Sequence, residues 1–239
     1  MTQSNPYQMY PDTIAAEAPT DARAAFIRRT YAHLLGAILA FAALEVLFFN
    51  VLDVAAITQT MLSGQYTWLI VLGAFIFVSY IAEAWARSAT SLGTQYAGLG
   101  LYVVAEAIIF MPLLYVAARF GGPNVIPTAA LITLVMFAGL TGIVFITARD
   151  FSFLRPAIYL GGLGALGLIV CGAIFGFTLG PIFTVAMIVL ACGYILYHTS
   201  NVLHHYRVTQ HVAASLALFA SVMLLFWYVI RLVMAMSRR

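Results

Sequence analysis

The stretch HVAASLALFASVMLLFWYVIRLVMAM, residues 211–236, decides the class of this chain. It is a nearly unbroken apolar run whose one fixed charge is Arg231. A run of about 20 mostly apolar residues is long enough to cross a bilayer as a helix. Six further stretches share its character, at approximately 28–50, 66–87, 94–118, 124–147, 157–178 and 181–203. Between the fifth and sixth stand only Leu179 and Gly180 before Pro181, which implies a tight helical hairpin. Continuous apolar runs exclude a transmembrane barrel, whose strands alternate over about ten residues. The composition agrees: of 239 residues, 64% are hydrophobic and 8% charged, against about 25% charged in a soluble domain. The predicted fold is all-α, a polytopic membrane protein with seven transmembrane helices and the lipid bilayer as its first partner.

Residues 1–24 are polar and carry Asn5-Pro6 and Tyr10-Pro11. They read as a flexible tail before a single membrane domain, 25–239. Every basic residue is Arg, and the net charge is +3. That balance is too small and scattered for a nucleic-acid partner. It reads as loop charge that sets topology. Arg23, Arg28, Arg29, Arg87, Arg149, Arg155 and Arg207 fall on the side of the N-terminus, and Arg119, Arg238 and Arg239 on the other. Positive charge gathers on the cytoplasmic side, so a cytoplasmic N-terminus is expected.

Ionisable groups within spans cost roughly 2.5–3.5 kcal/mol on insertion scales, so each needs a reason. Glu106 lies mid-way along the third span, before Pro112, and could hold a cation, carry a proton, or sit hydrogen-bonded in the bundle. Glu45 and Arg231 fall at similar depth in the first and last spans, which predicts an ion pair. Glu83 precedes Arg87 by four residues, the favourable order for a helical pair. His198, with His204, His205 and His211 beyond it, could sense pH, because histidine titrates near neutrality. Catalytic motifs are absent, and the histidines lack the nearby Cys or carboxylates of a metal site, so no enzyme, metal or cofactor is expected.

Several segments together resemble the Bax inhibitor-1/YccA family of seven-span membrane proteins. They are Thr30-Tyr31-Ala32-His33-Leu34, Ala105-Glu106-Ala107, Phe137-Ala138-Gly139-Leu140-Thr141, the loop Arg149-Asp150-Phe151-Ser152-Phe153-Leu154, and Tyr197-His198-Thr199-Ser200-Asn201. The resemblance implies a last helix at the centre of the bundle and a loop motif at Asp150, Phe151 and Ser152. Many members of the family are described as pH-sensitive calcium leak channels with a sensor of paired Asp residues. Here His198 and Ser221 occupy those two positions. The Thr199-Ser200-Asn201 run is similar to the proteobacterial YccA-type branch, whose members are substrates and modulators of the membrane protease FtsH. The leading expectation is therefore a bacterial inner-membrane modulator of such a protease. The alternative is a calcium or proton leak channel using Glu106, Glu45, Arg231, His198 and Ser221.

Overall fold

The computed structural model describes residues 13–88 and 91–237. The chain is all-helical, with α1 (Thr20–Val51), α2 (Val54–Met61), α3 (Gln65–Ala86), α4 (Leu92–Phe120), α5 (Val125–Thr147), α6 (Arg155–Phe175), α7 (Pro181–His204) and α8 (His211–Ser237). Seven of these are long and apolar enough to span a membrane. The eighth, α2, was not expected from sequence. It is a short cap behind Asp53, whose carboxylate accepts from the Ala56 amide at 3.0 Å. That hydrogen bond satisfies one of the free amides at a helix start. Ser91 does the same for α4, accepting from the Thr94 amide at 3.0 Å. Helix α5 ends at Ala148 and helix α6 at Gly176, both in the left-handed region with φ 47° and 74°. A left-handed residue closes a helix, and Gly adopts that conformation without strain. Pro181 then opens α7 at a position where its missing amide is no loss.

Seven crossings put the start of α1 and the end of α8 at opposite ends. The end holding the start of α1 is termed proximal and the other distal. The first helix begins at Thr20, not after residue 24. Ahead of it, the Ala15 amide donates to the Tyr206 carbonyl at 2.9 Å and the Val208 amide to Thr13 at 3.2 Å. This clip pairs Ile14 with Arg207 across the proximal end. Residues 13–24 thus belong to the folded body, because their backbone groups find partners there. Residues 1–12 of the expected tail lie outside the described residues.

Two helices form the centre. In α4 and α8 alike, 61% of the most apolar window is buried, against 11–28% in the other spans. The resemblance predicted one central helix wrapped by six. The structure instead pairs α8 with α4, and α8 packs mainly on α1, α3, α4, α5 and α7. Phe110 of α4 and Phe219 of α8 are fully enclosed, and Phe41 of α1 lies against both at 5.2 and 6.4 Å between ring centroids. Helix α6 packs on α3 and α7 and leaves space between itself and α8.

Lipid tails offer no hydrophobic drive between helices, so small residues at close contacts matter more. The tightest approach is at Gly98 of α4. A methyl there would lie 2.5 Å from the Ala82 carbonyl oxygen and 2.6 Å from the Ala86 nitrogen of α3. The glycines of α6 meet mostly side-chain ends or open space, so the prominent glycine run at 161–180 does not mark the closest helix contact.

Candidate functional site

The space beside α6 is a cavity of about 860 Å³ lined by α3, α4, α6, α7 and α8. Its volume falls within the range of ligand pockets, about 300–1,000 Å³. Four of the five expected ion-path residues line it: Glu106, His198, Ser221 and Arg231. Glu106 sits near its middle, 5% exposed, with the Tyr102 hydroxyl one turn away as a hydrogen-bonding neighbour. Ser221 faces the same space from α8, but its hydroxyl donates to its own helix, to the Ala217 carbonyl at 2.8 Å. Its one proton is thereby committed to its own helix, which leaves only its acceptor capacity toward the cavity. His198 is held by stacking on Tyr194 (5.9 Å between centroids, planes at 13°) and edge contact with Tyr197 (5.0 Å). Its buried Nδ1 has no hydrogen-bond partner.

Glu45 lies elsewhere. It is buried one turn beyond Phe41, and neither carboxylate oxygen has a hydrogen-bond partner. The expected Glu45–Arg231 ion pair is not formed. Arg231 instead donates to the Leu179 carbonyl at 3.5 Å in the distal hairpin and stands 5.7 Å from the centre of the Tyr228 ring. Arg231 faces the cavity from α8, whereas Glu45 belongs to α1, which contributes no residue to the cavity wall. Glu83 and Arg87 also fail to form an ion pair and both line the cavity, with Arg87 beside Tyr206. Tyr206 lies in the loop before α8. Burial pushes its phenol up, and the nearby Arg87 charge opposes that in part.

The loop motif has a structural role. The Asp150 carboxylate accepts from the Ser152 amide at 2.8 Å, closing a local turn. The Phe151 amide donates to the Ser200 hydroxyl at 2.8 Å, and that hydroxyl donates to Asp150 at 3.3 Å. His205 lies 3.5 Å from the other Asp150 oxygen. Asp150, Phe151 and Ser152 are thus latched onto the end of α7. Slight desolvation pushes the Asp150 carboxyl up, but the Ser152 hydrogen bonds, His205 and the Ser200 hydroxyl outweigh it and hold its pKa below the ordinary value.

Other groups were missed from sequence. Arg155, Tyr159, Gly162, Leu166 and Ile169 line the cavity along one face of α6. Their spacing of four, three, four and three residues is a helical stripe, and that signal was available. At the proximal end His33 stacks beside Tyr96, with Nε2 3.1 Å from the Tyr96 hydroxyl, and lies 5.0 Å from the His211 ring. Nothing local in sequence announces that meeting of three spans. No group of three or more metal-binding side chains occurs among the described residues.

Residues 23–239 match the family model described as Inhibitor of apoptosis-promoting Bax1. The chain belongs to this Bax inhibitor-1 family. It is 28% identical over 225 residues to Protein LIFEGUARD 4 of Arabidopsis thaliana, covering 91% of this chain and 86% of that protein. It is 27% identical over 219 residues to Bax inhibitor 1 of Schizosaccharomyces pombe, covering 90% and 77% respectively. These relatives are a plant and a yeast protein, so they do not point to the YccA-type branch. As a Bax inhibitor-1 family member the chain is a multi-pass membrane protein, and the family match covers all seven spans but the first three residues of α1.

Proposed function

We propose that this Bax inhibitor-1 family member is a non-enzymatic leak path, for protons in preference to calcium. The observation that carries this reading is the cavity itself. It is lined at the proximal end by His198, near its middle by Glu106, and at the distal end by Leu179 and Arg231. A carboxyl midway along such a space is the kind of group that relays a proton. Arg87, Arg155 and Arg231 disfavour a divalent cation, and the paired carboxylates that would attract one are replaced by His198 and Ser221. Protonation of His198 would add positive charge and oppose cation entry further. The test is proton flux in liposomes between about pH 6 and 8. Glu106→Gln is expected to lower the flux, and Glu45→Gln, off the cavity, to leave it unchanged. Equal flux in wild type and Glu106→Gln would reject the reading.

The protease-modulator reading draws its support from the YccA-like Thr199-Ser200-Asn201 run. Ser200 is engaged internally with the 149–152 loop, which weakens that run as a surface for an FtsH-type partner. Co-purification from native membranes, with and without residues 1–12, tests it. A cytoplasmic N-terminus rests on the Arg distribution, and a bacterial inner membrane on the YccA-like run alone, against relatives that are a plant and a yeast protein.

A further inference from the structure

Three guanidinium groups line the cavity, and none has a carboxylate within ion-pair distance among the described residues. Arg87 and Arg155 lie together at the proximal rim, one ending α3 and the other opening α6. Glu83 shares that rim, so the local balance is positive. Between this rim and Arg231 most of the wall is aliphatic and aromatic, interrupted on the α4 and α8 side by Tyr102, Glu106 and Ser221. Leu72 and Phe75 of α3 line it on one side, Leu166 and Ile169 of α6 on the other, with Trp227 behind. The seam between α3 and α6 opens toward the bilayer. Ile76 and Leu166 line the cavity yet remain 45% and 37% exposed.

We infer that the cavity is a binding site for a single-chain anionic amphiphile, its head group on Arg87 and Arg155 and its alkyl chain along the Phe75–Leu166–Trp227 wall. Guanidinium groups favour carboxylate and phosphate oxygens, with which they make charge-assisted hydrogen bonds. A compact anion would use the rim and leave the apolar length unfilled. A neutral chain would leave Arg87 and Arg155 with only their tyrosine neighbours, Tyr206 and Tyr159, and no countercharge. An anionic head on one alkyl chain satisfies both, and the lateral seam lets it enter from the bilayer. The inference does not rest on conduction: such a site could be occupied whether or not ions pass.

Trp68 and Trp227 line the cavity and stack at 6.1 Å, which supplies a reporter. The full chain, purified in detergent, is titrated with a brominated C18 fatty acid and, separately, with its methyl ester, following tryptophan quenching. Saturable quenching by the acid beyond that of the ester is expected. The Arg87→Gln/Arg155→Gln double variant should weaken it by about tenfold or more, the worth of one or two lost charge-assisted hydrogen bonds. Arg119→Gln, off the cavity, should not change it. Ala220→Phe keeps both rim cations but fills the cavity, and should abolish the saturable phase, so loss of binding does not depend on one variant's folding. Whichever of unlabelled palmitate and lysophosphatidate displaces the probe at lower concentration identifies the head group. Equal quenching by acid and ester, unchanged binding in the double variant, or full displacement by inorganic phosphate would each overturn the proposal.

Discussion

Replacing Gly98 by Ala inserts one methyl group where α3 and α4 touch. The methyl would sit 2.5 Å from the Ala82 carbonyl oxygen, 2.6 Å from the Ala86 nitrogen and 3.0 Å from the Trp85 Cβ. The first two are backbone atoms and cannot rotate aside. Ordinary contact begins near 3.4 Å, so the backbones must part by roughly 0.9 Å. Overpacking of this kind costs about 1–3 kcal/mol. The better helix propensity of Ala returns up to about 1 kcal/mol. Because the clash is with backbone, the upper part of the overpacking range applies, about 2–3 kcal/mol, and a net loss of about 1–3 kcal/mol follows, or about 2–12 °C in melting temperature at roughly 2–4 °C per kcal/mol. The assay is thermal unfolding of the purified protein in one detergent. Gly100→Ala, two residues on, is the control, because its methyl would meet nothing within 4 Å. It should be neutral or slightly stabilising. If Gly98→Ala melts at or above Gly100→Ala, the close approach is not what holds α3 to α4. The same retreat would move Glu83 and Arg87 away from Tyr102 and Glu106, so leak flux should change together with stability.

Further outcomes follow from the proximal end. Ser200→Ala strands the Phe151 amide, at a cost of about 1–3 kcal/mol, and should speed hydrogen exchange at Phe151 and Ser152. Asp150 has a depressed folded-state pKa, so its contribution to stability is present above the ordinary aspartate value and is lost as pH falls through the folded one. The melting-temperature gap between wild type and Asp150→Asn should therefore be full at neutral pH and close at strongly acidic pH. A gap that persists there would refute the assignment. Deleting residues 1–15 removes the partners of Tyr206 and Val208 and should raise exchange at the Val208 amide, while deleting 1–12 should not.

The spans were legible because each is a long apolar run, and hydropathy needs no neighbours to be read. The boundaries were less so. Thr20 to Arg23 is polar, yet helical, because the helix extends beyond the apolar part. The candidate site divided along the same line. Depth along a span can be counted from its ends, so the mid-span depth of Glu106 is readable from sequence. Azimuth around a span cannot be counted without knowing which helices are neighbours. That is why Glu45 was paired with Arg231 although they face different spaces, and why His33, Tyr96 and His211 were not brought together. The stripe from Arg155 to Ile169 was periodic, but a stripe alone does not say whether it meets a helix or a void.

The position of α8 also bears on how the molecule is made. Translation delivers α8, one of the two central helices, after the other six spans. Until it enters the bilayer, α1, α3, α4, α5 and α7 lack the partner they share, and Phe219 is not yet there to close the aromatic core. The clip between Thr13–Ala15 and residues 206–208 is delayed in the same way, since its second half follows the first by about 190 residues. A truncation before residue 211 would therefore leave six inserted spans without a common core. A quality-control protease would meet the unfinished chain as a set of loosely held helices, and the finished one as a closed bundle.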